Sequence, residues 1–215
     1  MKRIFLVDDH PMLREGLQRL IEQHPGWQVC GESDTAAGGL EAILRLAPDL
    51  VITDISLPDK NGLELIKDLQ ALSPTIPFLV FSMHDEMLYA ERAMRAGAKG
   101  YLMKGTTTDA LAEAIASILG GGVSLSRRVS DHILQHLSGI RSPAKSGLQS
   151  LTDRELEIFE LIGSGKSSTQ ISDQLHISPK TVDAHRANIR AKLALADGSS
   201  LLRESVLWVE LGTAG

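Results

Sequence analysis

The feature that most restricts the possible folds is the regular alternation of short apolar segments with amphipathic patterns through residues 1–120. Apolar runs ended by turn residues predict buried β-strands at 2–7, 27–31, 50–53, 77–81 and 100–103. Apolar spacings of three and four residues predict helices at 11–21, 36–47, 63–72, 86–96 and 107–119. We therefore expect an α/β fold with a five-stranded, doubly wound parallel sheet and right-handed crossovers.

Polar side chains stand at the ends of four of these strands. Asp8 and Asp9 end the first, Asp54 the third, Ser82 the fourth and Lys104 the fifth. In a doubly wound sheet these ends converge on one crevice. Crowded carboxylates repel one another unless a divalent cation neutralises them, and oxygen ligands suit Mg²⁺. Lys104 and Ser82 suit phosphate oxygens, and a carboxylate beside Mg²⁺ can form an acyl phosphate.

Simpler roles remain open for these residues at this stage. Asp54 could bind a cation, act as a nucleophile or cap the following loop, and Asp9 could merely cap the next helix. The combination of residues favours phosphoryl chemistry, because a lone Ser or Lys at a strand end carries no such information.

Residues 1–120 resemble the receiver domain of two-component response regulators, which has a flavodoxin-like fold. The same strand-end residues carry this resemblance. The matching positions are Asp8-Asp9, Asp54, Leu57-Pro58, Gly62, Ser82, Tyr101 and Lys104. The resemblance implies that Asp54 is the phospho-acceptor and that Mg²⁺ is bound directly by Asp9, largely through water by Asp8, and by the Ser56 backbone carbonyl.

The resemblance also implies the partners and the switch. A sensor histidine kinase would supply the phosphoryl group and Lys104 would pair with it. Ser82 would move toward it while Tyr101 swings inward. That change would repack the surface of the fourth helix, fifth strand and fifth helix, which could meet a partner or a second copy in an activated homodimer. The candidate contacts there are Met87, Glu91, Arg92 and Arg95.

A connector separates this domain from the last 65 residues. Gly120-Gly121-Gly122 ends the first domain, a helix is expected at 127–138, and 139–150 has the composition of a flexible linker. We therefore place a receiver domain at 1–120, a linker with a short helix at 121–150, and a second domain at 151–215.

The second domain has the pattern of a helix-turn-helix. Thr152 and Glu155 form a capping box, 166–175 predicts a helix, 176–178 a tight turn, and Ser178-Pro179 begins a helix to 193. A fourth helix is expected at 200–211. Two short helices around a tight turn are typical of DNA binding, although residues 151–215 hold 7 basic residues against 9 acidic ones. The glycines at 163–165 lack the spacing and the preceding strand of a phosphate loop.

The motifs of this domain resemble the LuxR-type DNA-binding domain, so that the whole chain resembles a NarL/FixJ-type response regulator. They include Leu151-Thr152, Arg154-Glu155, Thr181-Val182, His185 and Asn188-Ile189. Asp183 and Ala187 depart from basic positions of the family; Asp183 would repel phosphate but could accept from a cytosine amino group. The candidate double-stranded DNA contacts are Lys180, Thr181, Asp183, Ala184, Ala187, Asn188, Arg190 and Lys192.

The sequence therefore predicts a phosphorylation-controlled transcription regulator, with no enzymatic activity beyond self-phosphorylation and slow autodephosphorylation. The alternative is a receiver that signals through protein contacts, its last domain having lost DNA binding. A phosphatase or hydrolase with Asp54 as nucleophile is a third hypothesis, for which no substrate pocket is evident. One cysteine and the lack of a signal peptide or membrane span predict a cytoplasmic protein.

Overall fold

A computed structural model of the chain describes residues 1–137, 147–175 and 177–212. The chain forms two compact units, Met1–Ser138 and Gly139–Gly215. Part of the predicted linker and His176 of the predicted turn lie outside the described residues. Among the helices that are described, none has both the length and the apolar composition that a membrane span requires.

The first unit alternates strands with helices, as the sequence predicts. The strands are β1 (Lys2–Val7), β2 (Trp27–Ser33), β3 (Leu50–Thr53), β4 (Phe78–Ser82) and β5 (Gly100–Met103). The helices are α1 (Pro11–Glu22), α2 (Ala36–Leu46), α3 (Gly62–Leu72), α4 (Glu86–Ala96), α5 (Thr108–Leu119) and α6 (Arg127–Leu137).

All five strands are parallel, in the order β2-β1-β3-β4-β5. Side chains of α1 and α5 pack on one face of the sheet against Ile4, Leu6 and Ile52, and α2, α3 and α4 follow one another on the other face. Every residue of β3 and β4 is buried. Burial on both faces explains why these strands are continuous apolar runs rather than alternating patterns.

Several element ends differ from the sequence prediction, each for a local reason. β2 continues two residues further, because Glu32 and Ser33 pair with the end of β1. α2 stops at Leu46, since Ala47 adopts a left-handed conformation with φ of 45°. β4 includes Ser82 as its last residue, because Ser82 pairs with Met103 of β5. Thr107 is the N-cap of α5, not its first residue.

Residues 121–137 belong to the first unit. Ser124 pairs with Gly100 as a parallel bridge at the free edge of β5. α6 packs on α4, where Val129 is buried and the Ser126 hydroxyl donates to Glu86 Oε1 at 2.9 Å. This part of the connector is therefore fixed on the α4 side of the sheet.

The second unit is helical. It contains a 3₁₀ helix (Gly147–Ser150) within the predicted linker, followed by α7 (Asp153–Gly163), α8 (Ser168–Gln174), α9 (Pro179–Lys192) and α10 (Gly198–Gly212). The capping box of Thr152 and Glu155 is formed as expected, and a second one joins Ser167 and Gln170. That second cap explains why α8 begins at Ser168 rather than at Lys166.

Candidate functional site

The carboxylates of Asp8, Asp9 and Asp54 lie together at the C-terminal edge of the sheet. The strand order reverses between β1 and β3, so the connections leave these neighbouring strands on opposite faces and open a crevice between them. One ligand atom from each carboxylate and from His10 lies within 4.8 Å of the others. Asp8 and Asp54 are buried, whereas the Asp9 side chain is 39% exposed.

Lys104 supplies the positive charge of this cluster. Its Nζ lies 2.6 Å from Asp54 Oδ2 and 2.8 Å from Asp8 Oδ2, and its side chain is only 7% exposed. Burial by itself lowers the pKa of Lys104, but the charges and hydrogen bonds of Asp54 and Asp8 outweigh it and raise the pKa above its ordinary value. The lysine is therefore an ammonium ion held directly against the candidate phospho-acceptor.

The loop after β3 fixes the position of Asp54. The Ile55 N–H donates to Asp54 Oδ1 at 2.6 Å, and the Thr53 hydroxyl donates to the Asp54 carbonyl at 2.9 Å. Gly62 approaches so closely that a Cβ atom there would overlap the backbone oxygen of Asp54. Further along the loop, the Asp59 carboxylate accepts from two N–H groups in the first turn of α2, both at 2.8 Å.

The donor set of this crevice fits Mg²⁺. Carboxylate oxygens are the ligands that this ion prefers, and two of the three carboxylates are buried with Lys104 as their cation. His10 is an addition that the sequence reasoning missed: its Nδ1 lies 2.7 Å from Asp9 Oδ1 and 3.1 Å from Asp8 Oδ1. Its position directly after Asp8-Asp9 in the sequence could have indicated that it lies in the same cluster.

The two candidate switch residues are both buried. The Ser82 hydroxyl has no hydrogen-bond partner among the described residues, although it stands at the end of β4 beside the crevice. Tyr101 is 1% exposed and donates its hydroxyl hydrogen to the His84 carbonyl at 2.8 Å. The tyrosine expected to swing inward thus already lies inward in this structure.

A second residue that the sequence reasoning missed, His84, links the loops after β3 and β4. Its Nε2 lies 2.8 Å from the Ser56 hydroxyl, and its ring lies against that of Tyr89 with centroids 4.6 Å apart. Ser56 therefore has a side-chain contact besides the metal-facing carbonyl that the family resemblance assigns to it. No sequence pattern indicates this contact, because the two residues are 28 positions apart.

In the second unit, α8 and α9 form the predicted helix-turn-helix. The Ser178 hydroxyl accepts from the Thr181 N–H and Pro179 takes the first position of α9. Val182 and Ile189 are buried, as the spacing predicts. Arg190 is half-buried, and the remaining candidate DNA contacts are exposed: Lys180, Thr181, Asp183, Ala184, Ala187, Asn188 and Lys192.

Three of these candidates already have side-chain partners within the unit, and one of them is Thr181, whose Oγ1 lies 2.8 Å from the Ser178 hydroxyl oxygen. Lys192 Nζ lies 2.6 Å from Glu155 Oε2, and the pair joins the end of α9 to the capping box of α7. The Ser168 hydroxyl at the start of α8 donates to Asp183 Oδ1 at 3.0 Å. Lys192 therefore has a structural contact that its place in the sequence did not reveal.

His185 faces the interior from α9. Burial lowers the pKa of His185 below its ordinary value, the positive charge of Arg154 lowers it further, and Glu155 opposes the shift. The buried Nδ1 has no hydrogen-bond partner among the described residues. The half-buried imidazole is therefore harder to protonate than a free histidine.

Comparison with known proteins identifies both units. Residues 4–116 match the response regulator receiver domain, and residues 149–204 match the bacterial regulatory proteins of the luxR family. The transcriptional regulatory protein DegU of Brevibacillus brevis is 30% identical, over 97% of this chain and 95% of its own. The nitrate/nitrite response regulator NarL of Escherichia coli (strain K12) is 32% identical, over 96% and 94%. The chain belongs to the two-component response regulators.

The fold of this response regulator is also found among solved structures. RcsB from Salmonella enterica serovar Typhimurium, bound to a promoter in the presence of the phosphomimetic BeF3−, matches with a TM-score of 0.66 at 23% identity. The match covers 94% of this chain and 96% of that one. At this identity the similarity shows a shared fold, which confirms the receiver and LuxR-type architecture.

Proposed function

We propose that this response regulator accepts a phosphoryl group on Asp54 from a sensor histidine kinase, with Mg²⁺ held by Asp8, Asp9, Asp54 and the Ser56 carbonyl. The observation that carries the proposal is the Lys104 ammonium, 2.6 Å from Asp54 and 2.8 Å from Asp8 in a crevice of three carboxylates. Such a cluster provides a nucleophile, metal ligands and a cation for phosphate oxygens.

In the transfer, an Asp54 carboxylate oxygen attacks the phosphorus atom of a phosphohistidine. The new O–P bond gives an acyl phosphate, while the N–P bond breaks and its electron pair remains on the departing imidazole. Mg²⁺ supplies charge neutralisation to the phosphoryl oxygens. Lys104 exchanges its contact with Asp54 for one with these oxygens, and the Ser82 hydroxyl donates to them. Beyond this transfer and its slow hydrolysis, the chain is proposed to have no enzymatic activity.

Phosphorylation is proposed to favour a homodimer whose two α9 helices bind a two-fold DNA site. Support comes from relatives named as transcriptional regulators, from RcsB bound to a promoter, and from the exposed face of α9. The basic residues of this helix outnumber its single acidic residue, Asp183; they are Lys180, Arg186, Arg190 and Lys192. The helix is therefore locally basic although the second unit is not. Binding of chromosomal DNA would place the regulator in the cytoplasm.

Labelling with a small phosphodonor tests the first half of the proposal. Wild type should take up one phosphoryl group per chain with Mg²⁺ and none with a chelator. Asp54→Asn should take up none, whereas Asp109→Asn, an exposed substitution on α5, should label as wild type does. Labelling of Asp54→Asn at the wild-type level would refute the assignment, and steady turnover of a phosphate ester would instead indicate a hydrolase.

Binding to duplex DNA at several salt concentrations tests the second half. We expect a steep fall in affinity with salt, because contacts to phosphates release counterions. The phosphorylated protein should bind more tightly than Asp54→Asn. No salt-dependent binding in either form would favour a regulator that acts through protein contacts.

A further inference from the structure

The recognition helix carries an exposed carboxylate on its outward face. Asp183 lies in the second turn of α9, beside the exposed Lys180, Ala184 and Ala187. It forms no ion pair with any lysine, arginine or histidine in the described parts of the chain. Its partner is a neutral hydroxyl, that of Ser168, at 3.0 Å. No neighbouring cation in the described residues therefore pairs with this carboxylate, although the helix is otherwise basic.

The contact with Ser168 fixes where this charge points. Ser168 is the first residue of α8 and Asp183 lies on α9, so the hydrogen bond joins the two helices of the helix-turn-helix on their exposed side. It occupies Oδ1 and leaves Oδ2 free to accept. A carboxylate that is already held in place loses less conformational entropy on binding than a free side chain does.

The surroundings of Asp183 allow close approach to a base. Residues near the N-terminus of a recognition helix contact base edges in the major groove. One turn further along, Ala187 presents only a methyl group, and Ala184 is equally small. A carboxylate in such a setting meets the floor of the groove rather than a phosphate, which it would repel.

The hydrogen-bonding groups of the bases then limit which base Asp183 can contact. An ionised carboxylate only accepts hydrogen bonds. Cytosine presents an amino donor in the major groove, guanine presents two acceptors, and thymine an acceptor and a methyl group. Adenine offers one donor, but its neighbouring N7 acceptor would lie against the carboxylate.

We propose that Asp183, positioned by Ser168, is a specificity-determining residue that selects cytosine at one position of each DNA half-site. The inference rests on the DNA-binding function proposed above and deepens it, because it names the base that this chain prefers. The departure from a basic residue at position 183 is thus a change of specificity rather than a loss of binding.

Selection of bound duplexes from random DNA tests this, using the full chain treated with a beryllium fluoride phosphoryl mimic. Wild type should enrich cytosine at one position of each half-site. Asp183→Asn should favour adenine there, because an amide pairs with the N6 and N7 atoms of adenine. Asp183→Ala should lose discrimination at that position by roughly five- to one-hundred-fold, with the rest of the site unchanged.

Matched variants separate base contact from general charge. Asp173→Asn removes the same charge from an exposed position on α8 and should leave the selected sequence unchanged. Ser168→Ala should weaken the preference for cytosine without changing the base, and Ser168→Thr, which keeps the hydroxyl, should restore it.

The outcomes distinguish this inference from the proposed function. If Asp183→Asn and Asp183→Ala select the same sequences as wild type, the specificity role is refuted while DNA binding stands. If wild type retains no duplex at all, DNA binding and the specificity role both fail; if it retains duplexes without enriching any sequence, only the specificity role fails.

Discussion

The two units of this response regulator use charge in opposite ways. In the receiver, Asp8, Asp54 and Lys104 are buried, paired and held by the ends of three strands. In the LuxR-type unit, the candidate DNA contacts are mostly exposed on one helix, and the helical core packs beneath them. Function and stability therefore depend on the same groups in the first unit and mostly on different groups in the second.

Removal of Lys104 should have the largest effect. In a chelator, Lys104→Met leaves two adjacent buried carboxylates without a cation, and we expect the unfolding free energy of the receiver to fall by about 3 kcal/mol. Mg²⁺ should restore part of this loss. Urea unfolding followed by Trp27 fluorescence in a Trp208→Phe background measures it.

The control for this prediction is Lys99→Met, which removes an exposed lysine from the same unit. It should leave the unfolding free energy nearly unchanged in both conditions. Equal stability of the two variants in the chelator would show that the buried charges are not coupled to folding.

Alanine substitutions at two separate glycines test how tightly the loop after β3 constrains Asp54. Gly62→Ala would place a Cβ against the Asp54 backbone oxygen, and we expect a loss of about 1–3 kcal/mol together with slower labelling. Gly16→Ala adds the same atom where nothing lies within 4 Å, in the middle of α1, and should stabilise by about 0.5–1 kcal/mol. Equal effects of the two substitutions on unfolding and labelling would contradict this account of the loop.

Two lysines of α9 test the separation of roles in the second unit. Lys192→Met breaks the pair with the buried Glu155, and because the lysine is 35% exposed we expect a loss of only about 1 kcal/mol. Lys180→Met should leave stability unchanged but reduce the slope of log affinity against log salt by about 1. The opposite pattern in unfolding and binding measurements would assign Lys192 to DNA and Lys180 to the fold.

The smallest expected effect is a pH dependence from His185. Because its pKa is lowered by folding, the unfolded chain binds the proton more readily. The contribution of His185 to the unfolding free energy should therefore be fully present above pH 6.5, the ordinary pKa of histidine. It should decrease as the pH falls below that value.

Trp208 lies near Phe159, with ring centroids 6.1 Å apart, so its fluorescence in a Trp27→Phe background reports on the second unit. His185→Gln should remove the decrease just below pH 6.5. The pKa of Glu155 is also lowered, because the opposing effect of burial is outweighed by hydrogen bonds from Lys192 and Thr152 and by the charge of Lys192. The contribution of Glu155 to the unfolding free energy is therefore lost only below pH 4.5, well away from the range in which His185 titrates. An unchanged profile in His185→Gln would rule out this histidine as the source.

Sequence reasoning was accurate where a feature depends on neighbouring residues. The strand and helix pattern of the receiver and the Thr152 capping box both follow from local spacing and turn chemistry. It was less accurate where pairing extends an element, as at the end of β2, where Glu32 and Ser33 bond to β1.

The fold could be predicted from the sequence alone, because strand periodicity and turn residues indicate five parallel strands whose polar ends meet. The family followed from the resemblance of the motifs in the two domains to known response regulators, which the family matches confirm. Tertiary structure alone decided which residues at those ends and on α9 contact one another. His84 meets Ser56, Lys192 meets Glu155, and Ser168 meets Asp183 across 15 to 37 positions of sequence. Such contacts depend on how loops and helices cross in space, which no local pattern encodes.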